Sequence, residues 1–421
     1  MKRLLLAAYA FAILSIGLTA DWRLRHEDNG AMHTTLALSH LELGLAGTRA
    51  HDVFVNATTG ERRPYGHHPP ATALLLAGAF AVTGSDAPAV ARLTVIAFHI
   101  GSVLLMVELV GALLGEGAGW LGGGLMATLP MSGYFGRMVN YEPLCLFAVI
   151  VQVLGYVRYK QHGRRRDLAL AAAGIVWGGL IDWPSFFFAA ALGAVETLDV
   201  VSGRSRGRAL LGVLVCCSAG VFALDIWHLW YAGRASMQAL GTVLGSNDPL
   251  WSLDATPSRF LLGQLDTFRR YFTEVGLIST LLVSWSLARP GSAAATRLFA
   301  GVDDRIVRRV LASMFGAAVA YQLAAPRWAM MHQYWQFYFL PPVVLSIVLA
   351  WRRLERAWRE HPSPRLRALQ VVCVLDVLIA SGYWLHFRHT RPESYAIETT
   401  ASFRSLYLAP KSSPGADRSI P

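Results

Sequence analysis

Charge is scarce in this sequence: 15% of its 421 residues are Asp, Glu, Lys or Arg, against 54% hydrophobic residues. An ordinary soluble domain carries about 25% charged residues, so a water-facing surface of the usual kind is excluded. Strand-like alternation is missing too, which sets aside a membrane barrel. Cysteine is scarce: Cys145, Cys216, Cys217 and Cys373 all fall within apolar runs. Neither a disulfide framework nor a zinc site is indicated, and packing is the plain reading. No internal repeat is found. The formal net charge of +11 raises nucleic acid as a partner, but the basic residues form short clusters between apolar runs, with no aromatic-basic strip, and nucleic acid is set aside.

What is present is a series of hydrophobic runs. Spanning a bilayer takes about 20 mostly apolar residues per helix, and lipid leaves backbone groups no partner outside a helix or closed barrel. The expected fold is all-α, a polytopic transmembrane bundle of about eleven spans. They lie near residues 4–20, 91–114, 117–132, 142–157, 168–182, 185–200, 208–228, 273–288, 309–325, 336–351 and 368–385. The Met1-Lys2-Arg3 start followed by Leu4 to Ala20 also reads as a signal peptide, but the run is long enough for an anchor and Thr19-Ala20-Asp21 is a weak cleavage signal, so a retained first span is expected. Residues 21–70 form a first outer loop, in which Asn29 to Leu45 has the spacing of an interfacial amphipathic helix ended by Gly44 and Gly47. Pro70 to Val82 is too short for a span and reads as interfacial.

Basic clusters orient the chain. Arg158, Lys160 and Arg164 to Arg166, then Arg204, Arg206 and Arg208, then Arg305, Arg308 and Arg309, then Arg352, Arg353 and Arg356 fall in loops of one parity, with Lys2 and Arg3 on the same side. By the positive-inside rule the N-terminus is cytoplasmic, and Glu27, His67, Glu142, Asp182 and His332 face outward. Residues 1–385 are expected to form the membrane domain, with a second outer loop at 229–272. Residues 386–421 form an outer tail, disordered from Lys411 onward.

Polar clusters gather at the outer edges of the spans. Glu27-Asp28 is a pair of adjacent carboxylates, which serves as a base, a cation site or simply solvated charge beside a helix. In Tyr65-Gly66-His67-His68-Pro69-Pro70 the prolines fix the backbone and exclude helix at His68, either to display two imidazoles or to start a membrane helix. Gly136 to Pro143 offers Arg137 for a phosphate and Glu142 at the first turn of a span, or an ordinary ion pair. Later come Asp182-Trp183-Pro184 and the stretch from His332 through Tyr334 to Tyr338. There, rings mixed with hydrogen-bonding groups read as a sugar-binding cleft or as a plain aromatic belt. Asp225 and Asp376 lie within spans and are functional or buried hydrogen-bonded groups.

On these residues the chain resembles the GT-C class of polytopic glycosyltransferases, in particular the protein O-mannosyltransferase and lipid A aminoarabinose transferase branch. The likeness covers roughly residues 1–200: one span, an acidic pair in the first outer loop, His-Pro-Pro before an apolar run, Ala91-Arg92-Leu93 opening a span, and an acidic residue before proline. Family members carry Asp-Glu where this chain has Glu27-Asp28-Asn29. The resemblance implies an inverting transfer of a sugar from a polyprenyl-phosphate donor to a lipid, glycan or protein acceptor, at the outer face of the cytoplasmic membrane. It implies Asp28 as catalytic base with Glu27 second, and His68 or Arg137 at the donor phosphate. Glu142 matches the second-loop acid, and Glu27, Asp28 and Glu142 are the possible ligands of a divalent metal ion. His67, His332 and Tyr334 complete the expected substrate-binding set. The rival readings are a transporter or flippase of a lipid-linked glycan and a noncatalytic scaffold. A transporter places coupling carboxylates near mid-membrane, often between inverted repeats, which this chain lacks.

Overall fold

The computed structural model describes residues 1–56, 58–203, 207–238, 256–301 and 303–407. They are overwhelmingly helical, in the order α1 (Lys2–Leu14), α2 (Asp28–Thr48), β1 (Val53–Val55), β2 (Arg62–Pro64), α3 (Ala71–Thr83), α4 (Pro88–Leu114), α5 (Glu116–Thr128), α6 (Pro130–Phe135), α7 (Tyr141–His162), α8 (Arg165–Ile181), α9 (Pro184–Val201) and α10 (Arg208–Ala232). After these come α11 (Pro257–Ala288), α12 (Ala293–Leu298), α13 (Asp304–Ala324), α14 (Pro326–Met331), a 3-10 helix (Gln333–Phe339), α15 (Leu340–Glu360), α16 (Pro364–Thr390) and α17 (Ser394–Tyr407). Among the described residues, the one departure from the all-α expectation is the antiparallel β1–β2 hairpin in the first outer loop. Proline opens α4, α6, α9, α11 and α16, where its missing N–H and fixed φ cost nothing.

Eight helices among the described residues are long and apolar enough to cross a membrane, and the chain is a multi-pass membrane protein. The other three expected spans are shorter: α1 has 13 residues, α8 has 17, and the run at 117–132 breaks at Pro130 into α5 and α6. The expected basic residues Arg204 and Arg206, the central part of the loop at 229–272, and the Lys411–Pro421 tail lie outside the described residues.

Helix α2 corrects the reading of Gly44 as a stop. Gly44 takes φ 69° and ψ 166°, a break that L side chains resist, and the helix resumes to Thr48 before Arg49 ends it in a left-handed turn. A similar break at Thr273 (φ 65°) divides α11. There Val275 N–H donates to Asp376 at 3.0 Å, so this half-buried carboxylate is hydrogen-bonded and serves a donor freed by the kink.

Helices α7 and α8 pack on each other most extensively, and α4 packs on α5 and α7. Gly155 of α7 and Gly174 of α8 lie so close to the opposing backbone that neither position has room for a Cβ. This small-residue packing is how helices bind each other where lipid supplies no hydrophobic drive. Helix α16 runs past residue 385 to Thr390, and α17 folds back onto α2. Arg404 grips Asp21 with bonds of 2.6 and 2.9 Å, and Thr400 donates to the Trp22 carbonyl. The C-terminal helix thereby straps the loop that carries the acidic pair.

Candidate active site

The site starts from Glu27. Its Oε1 accepts from Arg92 at 3.0 Å and from Arg137 at 2.6 Å, and its Oε2 accepts from the backbone N–H groups of Arg23 and Leu24. All three side chains are buried. Arg92 also lies over the Trp22 ring and donates to the Leu18 and Ala20 carbonyls, while Arg137 donates to the Ile16 carbonyl. Two guanidiniums, one from the start of α4 and one from the turn between α6 and α7, thus converge on one carboxylate and pin the chain between α1 and α2. A buried ion triad holds together only when its hydrogen bonds are complete, and these are. Both oxygens of Glu27 are taken, and Arg137 is turned to Glu27 rather than to an open cleft. Among the described residues Glu27, Asp28 and Glu142 are not drawn together into one group, and no cluster of three or more His, Cys, Asp or Glu is disposed to hold a metal ion.

Asp28 differs from its neighbour. It opens α2, its Oδ1 is buried without a hydrogen-bond partner, and burial raises its pKa to about 6, with the negative charge of Glu393 adding to the effect. Adjacent acids have been driven apart, one locked and one left unpaired.

On one side of Asp28 stands a wall of rings. His26, at φ 63°, packs edge-on against Tyr334 at 5.0 Å and faces His332 at 6.2 Å. His332 stacks parallel to Trp328 at 5.5 Å and lies 5.0 Å from Tyr334. Burial pushes the pKa of His332 down to about 4, helped by the charge of His68, and lowers His26 well below its ordinary value, helped by Arg25, His332 and Arg388. Both rings are neutral near pH 7. A non-glycine residue held in the left-handed region, here near Asp28 in the chain, is the kind of strain that clusters at functional sites. Behind the rings, Arg388 of α16 is 8% exposed and sits over the Tyr271 ring. Its Nη2 donates to Gln333 at 3.4 Å, its Nε has no partner, and it has no carboxylate partner among the described residues. A buried guanidinium without an anion is costly, so it marks a place where an anion would be welcome.

On the other side lies the His-Pro-Pro element. His68 Nδ1 meets Asp182 Oδ1 at 2.8 Å, and its ring stacks on Tyr141 at 4.2 Å. Asp182 is fully buried and also accepts from the Trp183 N–H and the Tyr338 hydroxyl. The Trp183 indole donates to the His67 carbonyl at 2.7 Å, so the Asp182-Trp183-Pro184 corner clamps both histidines. With Nδ1 engaged, Nε2 of His68 is the ring nitrogen left for a ligand. Burial, then the charge of His68, lowers the His67 pKa to about 4. Glu142 lies buried at the first turn of α7 with Oε2 unpartnered, within electrostatic reach of Asp182 and of Tyr334.

The structure thus brings Asp28, His68, Glu142, His332 and Tyr334 to one end of the bundle, and gives Glu27 and Arg137 to each other. Sequence reasoning missed His26 and Arg388 and noted Asp182 only as an edge residue. Arg388, which has no carboxylate partner among the described residues, falls in sequence within the expected outer tail.

Residues 67–224 match the family model described as dolichyl-phosphate-mannose-protein mannosyltransferase. The chain is similar in fold to ArnT from Cupriavidus metallidurans bound to undecaprenyl phosphate, at 12% identity, with 95% of this chain and 69% of that one covered and a TM-score of 0.58. It is also similar to the archaeal oligosaccharyltransferase AglB from Archaeoglobus fulgidus, in complex with an inhibitory peptide and a dolichol-phosphate, at 12% identity and a TM-score of 0.57. That match covers 97% of this chain and 60% of AglB, so the chain spans about three fifths of that structure's length. Comparison with curated proteins returns no match by sequence. The family matched and the solved structures are glycosyltransferases, and by fold and by the family model over residues 67–224 this chain resembles the GT-C glycosyltransferases of the O-mannosyltransferase and ArnT branch.

Proposed function

We propose that the protein is an inverting glycosyltransferase that moves a sugar from a polyprenyl-phosphate donor to an acceptor hydroxyl or amine on a lipid, glycan or protein. The site faces outward from the cytoplasmic membrane, with the N-terminus cytoplasmic. The observation that carries this reading is Asp28: a half-buried carboxylate beside the ring wall, its Oδ1 buried without a hydrogen-bond partner and its pKa raised to about 6. Asp28 takes the proton of the acceptor as the acceptor atom attacks the anomeric carbon. The bond from that carbon to the phosphate oxygen breaks, and the phosphate leaves on the lipid with the bonding electron pair. Arg388 and the Nε2 of His68 meet the charge that develops there. Tyr334 and His332 supply faces on which a pyranose ring stacks. Asp182 is a positioning residue that fixes His68, and Glu27 with Arg92 and Arg137 holds the loop that aims Asp28.

Transfer is expected to need the Asp28 carboxylate ionised. A base with its pKa raised to about 6 is fully available above that pH and is lost as pH falls through it. The rate against pH, measured with labelled donor between pH 5 and 8 (roughly the range over which such a group titrates), should decline on the acid side with a midpoint near 6 and stay flat above 7. A rate that holds constant down to pH 5 would remove Asp28 from the base role.

Arg388→Ala is expected to lower transfer roughly 10²-fold through loss of phosphate stabilisation, with Arg388→Lys recovering part of it as a point charge without the planar fork. Donor titrations of the three proteins check this. Equal kcat/KM for donor in wild type and Arg388→Ala would show that the phosphate lies elsewhere.

A further inference from the structure

We propose that the end of the bundle opposite the active site carries a second binding site, for the headgroup of a glycerophospholipid that joins a phosphate to a hydrogen-bond donor. It is independent of the catalytic reading. Helix α4 relates the two ends: Arg92 at its start belongs to the active site, and Glu108 near its far end lines the second site, which sets them roughly 24 Å apart at 1.5 Å per residue.

There the turn between α7 and α8 opens a cavity of about 540 Å³ lined by Arg158, His162, Arg164, Arg166, Asp167 and Leu170. Past Arg158 and His162 lies a second hollow, of about 680 Å³, where the apolar surfaces of Val107, Ala112 and Trp120 lie beside Arg3, Glu108, Glu116 and Gln161. An arginine-lined cavity next to a hollow of mixed polar and apolar wall suits the junction between a lipid's headgroup and its glycerol. Glu108 is already shared between Arg3 and Arg158, at 2.5 and 2.8 Å, whereas Arg164 and Arg166 have no carboxylate partner among the described residues. Helix α8 starts at this spot with no side-chain cap, so its first N–H groups add to the anion-binding character. Basic pockets between membrane helices on the arginine-rich side are suited to lipid phosphates.

The independent observation is Asp167. It lines the same cavity, is 4% exposed, and its Oδ2 has no hydrogen-bond partner. A pocket for a bare anion has no use for a buried carboxylate next to its arginines. A headgroup that carries an ammonium or hydroxyl beyond its phosphate satisfies both signs at once, whereas a choline headgroup offers no N–H or O–H for Asp167.

The test uses the full chain purified in detergent and native mass spectrometry with phosphatidylethanolamine, phosphatidylglycerol and phosphatidylcholine in turn, and with inorganic phosphate as a separate arm. The two donor-bearing lipids should be retained over phosphatidylcholine. The Arg164→Ala, Arg166→Ala double variant, whose side chains are exposed and whose unfolding temperature should not move, should weaken retention by roughly 10- to 30-fold. Asp167→Asn should erase the preference over phosphatidylcholine while leaving phosphate-dependent retention in place. Retention equal in the wild type and the double variant, or no preference among the three lipids in the wild type, overturns the site. Inorganic phosphate displacing the lipids at equal occupancy assigns the pocket to a free anion and overturns the lipid source.

Discussion

Asp28→Asn is expected to reduce sugar transfer by about 10²- to 10⁴-fold while leaving the protein as stable as the wild type, or more so. The first half follows from the loss of a positioned base. The second follows from linkage. The folded-state pKa of Asp28 is raised from 3.8 to about 6, so burying its charge opposes folding above pH 6, and that penalty fades as pH falls and the group takes up its proton. Asparagine keeps the shape and never carries the charge. A substitution that abolishes activity and raises thermal stability at pH 7 separates a working residue from a structural one. The measurement is label transfer and thermal unfolding on the same detergent preparations. An Asp28→Asn protein that melts well below the wild type would mean that Asp28 holds the loop instead.

Glu27→Gln is expected to behave the opposite way, with stability the first casualty. Removing the charge leaves the Arg92 and Arg137 guanidiniums facing each other, nearly fully buried, with no anion between them. Breaking a buried pair by removing one partner costs on the order of 3–5 kcal/mol, and here one carboxylate serves two cations. Thermal unfolding and the folded yield after size exclusion should both fall sharply, with activity following the folded fraction. A well-folded Glu27→Gln protein with no activity would reverse the assignment and make Glu27 the chemical residue.

This division of labour was out of reach of the sequence, where Glu27 and Asp28 are adjacent and chemically alike. What separates them lies far along the chain, in arginines 65 and 110 positions downstream that choose one carboxylate and leave the other. The hydrophobic runs, by contrast, are local properties, and from them the helical membrane fold and most of its spans were legible. The stiff backbone of the His-Pro-Pro element, directly ahead of α3, was legible because proline acts on its own neighbours. Its clamp was not, because Asp182 stands 114 residues from His68. Arg388 was read as part of a tail, since the run of apolar residues fades before it. The helix nevertheless continues to Thr390 and carries the guanidinium back under the ring wall. The break at Gly44 was read as an end because a glycine announces a turn without saying whether the helix resumes after it.

The most direct measurement is single-turnover transfer of label from a panel of polyprenyl-phosphate sugars to a membrane-extract acceptor, run on wild type and Asp28→Asn with donor binding recorded on both. One donor should pass its label with the wild-type protein, and Asp28→Asn should bind that donor equally well and pass essentially none. Full-rate transfer by a folded Asp28→Asn protein would contradict the assignment of the base. Tight donor binding with no transfer by the wild type, with every acceptor fraction supplied, would contradict the enzyme itself.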